Sequence, residues 1–398
     1  MSDPLMSLVR AELAAAVPGT GRDPQQLAQL AARRTGLVMD SAAMSELAGT
    51  LSADLAGAGP LQDLLRDPYV TDVLVNGPSA IWIDRGAGLE RCGVSFPDEA
   101  ALRALACRLA AQAGRRLDDA SPFVDAVLPD GTRLHALLPP LVAAPTLSLR
   151  VLGRRRFTLD ALVAEGMLPD ELAVLLTGVV RAGLNVVVSG GTGTGKTTLL
   201  AALFALSGPA ERIVTIEDAP ELRLDHPHVV ALCARAANVE KAGAVDLATL
   251  VRQSLRMRAD RVVVGEIRGA ELVELLTALN TGHSGGATLH ANSTADVPAR
   301  LLALGALGGL PAEVCLLLAV SAIDLVVHLD RRNGHRQVAE VAWWPAVSPA
   351  APGRRPETAP GVATLIWSRS RGWSSDYADL RRRLGEVDAS LHMRGGPE

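Results

Sequence analysis

The sequence predicts an α/β protein, with a main domain built on a parallel β-sheet and a smaller mixed α+β domain before it. Between about residues 160 and 342, short apolar runs alternate with helical patterns, which is typical of a parallel sheet covered by helices on both faces. A glycine-rich turn beginning at Gly190 joins one of those runs to a helix. The 398 residues are too many for one typical domain, and the hydrophobic content of 48% fits a folded globular protein.

Changes of pattern along the chain divide it into five segments. The basic run from Gly153 to Arg156 marks a linker, and the Pro-, Ala- and Gly-rich stretch from Ala346 to Pro360 marks a second one. We expect the following division: a helical lead-in over 1–58, an N-terminal α+β domain over 59–152, a linker over 153–160, the parallel-sheet domain over 161–342, and a linker with a C-terminal tail of unknown role over 343–398.

Turn signals predict the elements of the N-terminal domain. Residues 71–77 and 80–84 read as a strand pair around the turn at Gly77-Pro78. A helix is expected from Pro97 to Leu109. Residues 127–137 are a predicted hairpin, with Asp-Gly at its tip.

Apolar runs predict the strands of the main domain. The six candidates are Val186–Ser189, Arg212–Ile216, Val229–Ala231, Arg261–Val264, Gly286–His290 and Leu325–Leu329. The apolar stretch from Val314 to Leu329 is short and contains Asp324, so it predicts a buried helix and strand rather than a membrane span.

The stretch from Gly190 to Thr197 matches the phosphate-binding pattern GxxxxGK[ST] at every fixed position. A strand precedes it and a helix follows it, which is the context that such a loop requires. Glycines let backbone N–H groups point at phosphates, and the helix N-terminus favours an anion. We expect Lys196 to reach the β- and γ-phosphates of ATP and the Thr197 hydroxyl to bind Mg²⁺. The predicted nucleotide contacts are Gly190, Gly191, Thr192, Gly193, Thr194, Gly195, Lys196, Thr197 and Thr198.

Carboxylates end two of the predicted strands. Ligands of open α/β sheets lie beyond the carboxyl ends of the strands, so Glu217 and Asp218 are expected to hold Mg²⁺ or its waters. The run before Glu266 resembles a Walker B strand in which Gly265 replaces the usual aspartate. Glu266 is therefore predicted to orient the attacking water, while Glu217 and Asp218 take a larger share of metal positioning.

Two histidines, His283 and His290, flank a glycine-rich loop. No third ligand lies at a suitable spacing, so a metal site is not expected there. The loop leads into a predicted strand, which makes either histidine a candidate for contact with the γ-phosphate. We assign the sensing role to His283.

Composition limits the classes of partner. A net charge of −4 and an aromatic content of 3% give no basis for bulk nucleic-acid binding or base stacking. The four cysteines form no CxxC pair, and free thiols fit a reducing cytosol. The N-terminus lacks the pattern of a signal peptide. We expect a cytoplasmic protein that has no membrane span of its own.

These motifs, in this order, resemble the type II/IV secretion ATPase superfamily, and within it the TadA/CpaF-like ATPases of Flp pilus assembly and conjugal transfer. The resemblance covers about residues 60–342. Its core motifs are Walker A at Gly190–Thr197, the Asp box at Thr215–Leu222, Walker B at Leu255–Gly269 and the His box at Thr281–Asn292. The N-terminal segments that share it are Gly114–Asp118, Pro122–Ala126, Gly131–Leu134 and Leu147–Arg150.

The resemblance implies a RecA-like P-loop NTPase core and a homo-hexamer that binds ATP and Mg²⁺ between the two domains. It also implies that Arg133 and Arg150 approach the phosphates, where a guanidinium can meet the charge of the transition state. Its expected partners are inner-membrane platform proteins of a pilus or secretion system, which would hold this motor at the membrane periphery.

Two positions depart from the family pattern. Ala259 stands where proline is usual, and Leu302 stands where a glutamate is expected. The second departure affects the expected coupling between subunits rather than nucleotide binding. Two alternative functions remain open: a RecA-like nucleic-acid translocase, and an ATP-binding assembly scaffold with little hydrolysis.

Overall fold

The computed structural model describes residues 41, 57–86, 88–151, 156–235, 243–344, 363–378, 380–382 and 384–385. The chain divides between Gly153 and Arg154 into two compact units. The predicted lead-in over 1–58 lies almost entirely outside the described residues, as do the first residues of the predicted linker over 153–160.

The first unit is built on an antiparallel sheet of six strands within its described residues, in the order β3-β2-β1-β6-β5-β4. The strands are β1 (Asp72–Val75), β2 (Ile81–Asp84), β3 (Leu89–Arg91), β4 (Phe123–Val127), β5 (Arg133–Leu137) and β6 (Thr146–Arg150). A 3₁₀ turn (Gly59–Leu61) leads into α1 (Gln62–Arg66), and α2 (Glu99–Gln112) crosses between β3 and β4. The predicted strand pair and the predicted hairpin are both confirmed.

Helix α2 buries one face against this sheet. Its N-cap is Asp98, whose side chain accepts a hydrogen bond from the Ala101 N–H at 2.7 Å, which satisfies one of the free donors of the first turn. Leu102, Leu105 and Leu109 recur at helical spacing and are buried with the sheet strands in one apolar cluster. The predicted helix is therefore confirmed, and it extends three residues beyond Leu109.

The second unit alternates helices and strands. Its described helices are α3 (Leu159–Ala164), α4 (Asp170–Arg181), α5 (Lys196–Phe204), α6 (Leu247–Ser254), α7 (Glu271–Asn280), α8 (Val297–Leu307) and α9 (Ala312–Ala322). Its described strands are β7 (Val186–Gly190), β8 (Ile213–Glu217), β9 (Val229–Cys233), β10 (Arg261–Ile267), β11 (Ser284–Leu289), β12 (Leu325–Arg332), β13 (His335–Trp343), β14 (Thr364–Ser368) and β15 (Gly372–Trp373).

Within the described residues these strands form one sheet in the order β15-β14-β13-β12-β7-β11-β10-β8-β9. Neighbours from β12 to β9 are parallel, and those from β15 to β12 are antiparallel. All six predicted strands are present in the parallel part. The predicted helix and strand over 314–329 are also confirmed, as α9 and β12.

Apolar side chains cover both faces of this sheet. Along β7, Val186 and Val188 lie in a core cluster that includes side chains of α4 and α5. Val187 points the other way, into a second cluster that includes side chains of α6–α9. A parallel sheet covered on both faces explains why its strands read as continuous apolar runs. It also places every loop that follows a parallel strand at one edge of the sheet.

The segment that sequence analysis treated as a tail contributes β14 and β15 to this sheet. Ile366 and Trp367 are buried in the same cluster as α4 and α5. The Trp367 and Trp373 rings meet edge to face with centroids 6.5 Å apart. None of the helices in the described part of the chain has the length and apolar character needed to cross a bilayer.

Candidate functional site

The phosphate-binding loop connects β7 to α5 at the carboxyl edge of the parallel strands. Gly190, Gly193 and Gly195 have φ angles of 150°, 72° and 95°, a backbone conformation that side-chain-bearing residues rarely adopt. Gly195 is the N-cap of α5, so the free N–H groups of the helix start face the loop. The loop is closed internally by a hydrogen bond of 2.9 Å from the Thr194 hydroxyl to the Gly191 carbonyl. This geometry fits an anion with several oxygens.

Lys196 is the cation of this loop. Only 7% of the residue is exposed, and Nζ donates to the Gly191 carbonyl at 2.7 Å. Burial lowers the pKa of the Lys196 ammonium, an effect that the nearby Glu266 carboxylate opposes. A buried ammonium satisfied mainly by a backbone carbonyl is available to a stronger acceptor such as a phosphate oxygen.

Glu266, near the end of β10, lies among three basic side chains. Arg268 donates from Nη2 to Glu266 Oε2, and His290 Nε2 lies 2.8 Å from Glu266 Oε1. His290 Nδ1 is in turn 3.5 Å from Lys196 Nζ. The structure thus brings Lys196 and Glu266 to the same site, as the sequence predicts, and adds His290 between them.

The charges in this group act on one another. Burial raises the pKa of the Glu266 carboxyl, but the hydrogen bond from Arg268 and the charges of Arg268, His290 and Lys196 outweigh it, so the pKa lies below its usual value. Burial and the Lys196 charge lower the pKa of His290. Near neutral pH the site therefore holds an ionised Glu266 beside a neutral His290.

Glu217 ends β8 beside Gly265 of the neighbouring strand β10. Its carboxylate is buried, and Oε1 accepts backbone hydrogen bonds from Glu221 at 3.0 Å and Leu222 at 2.8 Å. A Cβ at Gly265 would come 2.7 Å from Glu217 Cγ and 2.9 Å from its Oε1. The position where the Walker B pattern has aspartate is therefore filled by the side chain of Glu217. Steric fit explains why glycine occurs there.

Asp218 follows Glu217 and is more exposed than it. Its Oδ2 lies 3.9 Å from Arg268 Nη1, so Arg268 bridges Asp218, which follows β8, and Glu266, which lies near the end of β10. The Arg268 backbone is held by Glu271 at the start of α7, whose buried Oε1 accepts from the N–H groups of Arg268 and Gly269. Sequence reasoning did not single out Arg268 as a site residue; its position two residues after Glu266 was the available signal.

The two histidines of the glycine-rich segment lie at opposite ends of β11. His283 precedes Ser284, which pairs with Arg261 at the first residue of β10. At about 3.3 Å per residue, the six steps along the chain from His283 to Leu289 span about 20 Å. His290 follows Leu289, which pairs with Ser189 just before the phosphate-binding loop. The structure therefore does not bring His283 to Lys196 and Glu266, and the position expected for it is taken by His290.

Arg133 and Arg150 belong to the antiparallel sheet of the first unit. They are Cα partners at the edge where β5 begins and β6 ends. Arg150 Nε lies 3.2 Å from Asp72 Oδ1, an ion pair that offsets the repulsion expected between like charges on neighbouring strands. Their approach to a nucleotide stays a prediction.

The residues at the carboxyl edge fit a nucleoside triphosphate and a hard divalent cation. Gly190 to Thr197 supply backbone donors and one ammonium, which suit phosphate oxygens. Thr197, Glu217 and Asp218 offer hydroxyl and carboxylate oxygens, the ligand type that Mg²⁺ prefers. Glu266 is the carboxylate whose charge raises the pKa of Lys196 most, and its own lowered pKa keeps it ionised, with the acceptor capacity of a general base.

Comparison with known proteins shows which family the chain resembles. The family model described as "Type II/IV secretion system protein" matches residues 54–355. A putative conjugal transfer protein of Mycobacterium tuberculosis (strain H37Rv) is 50% identical over 343 residues, covering 84% of this chain and 95% of the relative. The type IV secretion system protein VirB11 of Brucella suis is 32% identical over 321 residues, covering 72% of this chain and 88% of VirB11.

A solved structure shares the fold. The crystal structure titled as the pilus retraction motor PilT with bound ADP has a TM-score of 0.51 and 18% sequence identity, and the match covers 83% of this chain and 88% of that one. At this identity the likeness concerns the α/β architecture alone.

Proposed function

Since the chain belongs to the type II/IV secretion system protein family, we propose that it is a motor ATPase that hydrolyses Mg-ATP to power a membrane-bound secretion, Flp/Tad pilus-assembly or conjugal-transfer apparatus. One observation carries the proposal: Lys196, Glu266 and His290 meet beside a phosphate-binding loop. The names of the relatives favour conjugal transfer or type IV secretion as the setting. The order of the motifs favours the TadA/CpaF-like branch.

Each residue of the site has a distinct part in the proposed reaction. Glu266 takes a proton from the attacking water as the water oxygen bonds to the γ-phosphorus, and the bond to the β–γ bridging oxygen breaks to release ADP and phosphate. Lys196 meets the charge on the β- and γ-phosphates. His290, in the role that sequence analysis gave to His283, contacts the γ-phosphate.

Thr197, Glu217 and Asp218 are the proposed Mg²⁺ residues. The steric fit between Glu217 and Gly265 supports a carboxylate from β8 in the place of the usual one from β10. When bound, Mg²⁺ neutralises charge on the β- and γ-phosphates. Arg133 and Arg150 are proposed to add positive charge at the phosphates, a contribution that can reach about 10³–10⁵ in rate for an arginine of this kind.

The wider arrangement follows from the family. We propose that residues 161–342 form a RecA-like core and that residues 59–152 form a domain covering the nucleotide. Closure over ATP and reopening after hydrolysis would move one against the other. The working form is proposed to be a homo-hexamer in the cytoplasm, bound at the membrane through platform proteins of the apparatus.

Steady-state hydrolysis of ATP by the full chain with Mg²⁺ tests the proposal. Glu266→Gln removes the proton acceptor and keeps the side-chain shape, so we expect kcat to fall by about 10²-fold or more. Glu274→Gln is the matched control, because Glu274 of α7 forms a partly exposed ion pair of 2.6 Å with Arg252 of α6. Its rate should stay within about twofold of the parent.

Nucleotide binding separates the outcomes. Glu266→Gln should still bind Mg-ATP, which shows that the loss lies in chemistry. Undiminished hydrolysis in this variant would remove Glu266 from its role. A parent protein that binds Mg-ATP but shows no ATP hydrolysis, either in the presence or in the absence of lipid, would favour the assembly-scaffold alternative.

A further inference from the structure

One arginine of the C-terminal segment ties the second unit's β13 to the turn between α3 and α4. Arg369 follows β14, and its backbone N–H donates to the Ala339 carbonyl at 2.9 Å on β13. Arg369 is an exposed residue, and its guanidinium lies against three backbone carbonyls. Nε donates to the Val338 carbonyl at 3.0 Å, and Nη2 donates to the carbonyls of Gly166 at 3.2 Å and Met167 at 2.7 Å. One side chain therefore ties β13 to the turn between α3 and α4.

That turn is the C-terminal cap of α3. Gly166 has a φ of 77°, its N–H donates to Val163, and the Met167 N–H donates to Leu162 at 2.9 Å. These two hydrogen bonds form a Schellman motif, which ends the helix and fixes the direction in which the chain leaves it. The Met167 carbonyl also accepts from the Val338 N–H at 2.8 Å. Arg369 thus completes the hydrogen bonding of a turn that is already well defined.

Met167 lies directly against the phosphate-binding loop. The residue is buried, and its Cε lies 3.0 Å from the position that a Cβ on Gly195 would take. Gly195 precedes Lys196 and caps α5. On the same side of the loop, Arg336 of β13 donates from Nε to the Gly193 carbonyl at 2.9 Å. Both contacts come from elements that Arg369 joins.

We propose that Arg369 is a positioning residue for nucleotide binding, acting through Met167 and β13 to hold the phosphate-binding loop in its binding conformation. The inference rests on the proposed nucleotide binding and gives the segment from Ala363 to Tyr377 a role in it. A loop that is already ordered loses less conformational entropy when it closes on phosphates. Loss of the three bonds from the guanidinium would let Met167 and β13 move relative to Gly195.

Binding of Mg-ADP to the full chain, measured by calorimetry, tests the proposal. In Arg369→Gln we expect Kd to rise about 5- to 10-fold, which corresponds to about 1 to 1.4 kcal/mol. Arg371→Gln is the matched control: it removes the same charge from the same turn, and its exposed side chain lies outside this group of bonds. Its Kd should equal that of the parent. Arg369→Lys, which has no planar fork, should fall between the two.

Kinetics and unfolding separate positioning from general stability. In Arg369→Gln the KM for ATP should rise with Kd while kcat stays within about twofold of the parent, because the chemical groups are untouched. A variant that unfolds at lower temperature and binds Mg-ADP like the parent overturns the proposal. If Arg369→Gln does not fold, Met167→Leu, which conserves volume and shortens the reach toward Gly195, gives the same test.

Mg-ADP binding and ATP hydrolysis by the parent protein distinguish the motor proposal from the proposal for Arg369. A parent that binds Mg-ADP without hydrolysing ATP contradicts the motor and leaves the Arg369 comparison valid. A parent that binds no nucleotide overturns both. A Kd that is equal in the parent, Arg369→Gln and Met167→Leu overturns the role of Arg369 alone.

Discussion

The two edges of the parallel sheet use charged residues in opposite ways. At the amino edge, Arg261 is 3% exposed and donates to both carboxylate oxygens of Glu211, at 2.6 and 3.0 Å. At the carboxyl edge, Glu266 lies against Arg268 and His290 and feels the charge of Lys196. The Glu211 carboxylate pairs with Arg261 in a fixed fork, whereas the Glu266 carboxylate is shared among the Arg268 and Lys196 cations and the imidazole of His290.

This difference indicates two roles for charged pairs, one in stabilising the sheet and one in the proposed reaction. A planar bidentate pair has a single good geometry, and this one holds the start of β10 against Glu211, two residues before β8. Glu266 can exchange one cation for another as a phosphate and a metal arrive. We infer that charge at the amino edge contributes mainly to stability and that charge at the carboxyl edge contributes mainly to function. Substitutions at the amino edge should therefore lower the free energy of unfolding more than they affect nucleotide binding or hydrolysis. Substitutions at the carboxyl edge should do the reverse.

The largest effect on stability is expected from Glu211→Ala. It leaves the Arg261 guanidinium buried without a charged partner, so the free energy of unfolding should fall by about 3 kcal/mol. Glu274→Ala is the control, because it breaks a pair of the same 2.6 Å length with Arg252 in which both side chains are partly exposed. That loss should be no more than about 1 kcal/mol. Urea unfolding measures both, and equal losses would contradict the assignment of the amino edge to fastening.

Lys196→Ala should show the reverse signature. It removes the ammonium from the phosphate-binding loop, and we expect affinity for Mg-ATP to fall about 100-fold, or about 2.7 kcal/mol. The urea midpoint should change little, because a buried ammonium held mainly by one carbonyl contributes little net stability. Calorimetry on the same samples gives the Kd. A variant that binds Mg-ATP as tightly as the parent would show that the loop does not bind phosphate through Lys196.

The two histidines allow the edges to be compared within one strand. His290→Gln should lower kcat about 10-fold, because it removes the imidazole beside Glu266 and Lys196. His283→Gln changes the same residue type at the other end of β11, and kcat should stay within about twofold of the parent. Steady-state hydrolysis at saturating ATP measures both. A larger loss in His283→Gln than in His290→Gln would restore the assignment made from the sequence.

The histidines also show what the sequence could and could not predict. The loop from Gly190 to Thr197 and the apolar strands are local patterns, and the structure contains both. The candidate strand Gly286–His290 already placed His290 at a carboxyl end, so the rule that ligands lie at that edge was sufficient to choose it over His283. The glycine pattern of the loop drew attention to His283 instead.

Contacts between distant segments were beyond sequence reasoning. Arg369 meets Met167 across 202 residues, and Arg336 meets Gly193 across 143. Neither arginine belongs to a motif, and the composition predicts only a linker and tail over 343–398. The pairing of β13 with β12 brings Arg336 to the loop, and the pairing of β13 with β14 brings Arg369 to Met167. The glycine at position 265 is a similar case, because the side chain of Glu217 on the next strand occupies the space that a side chain at 265 would need.

The smallest expected effect tests how Glu266 is shared among its cations. Glu266 must be ionised to accept a proton, so activity is lost as the pH falls through its pKa. Burial raises that pKa, and Arg268 makes the largest contribution that lowers it. Arg268→Gln should therefore move the acidic limb of the kcat profile to higher pH. Arg252→Gln, an exposed arginine paired with Glu274, should leave the limb in place. If the acidic limb stays at the same pH in Arg268→Gln, His290 and Lys196 are sufficient to keep Glu266 ionised. The contact between Arg268 and Asp218 would then stabilise the carboxyl edge of the sheet, as the pair of Glu211 and Arg261 stabilises the amino edge.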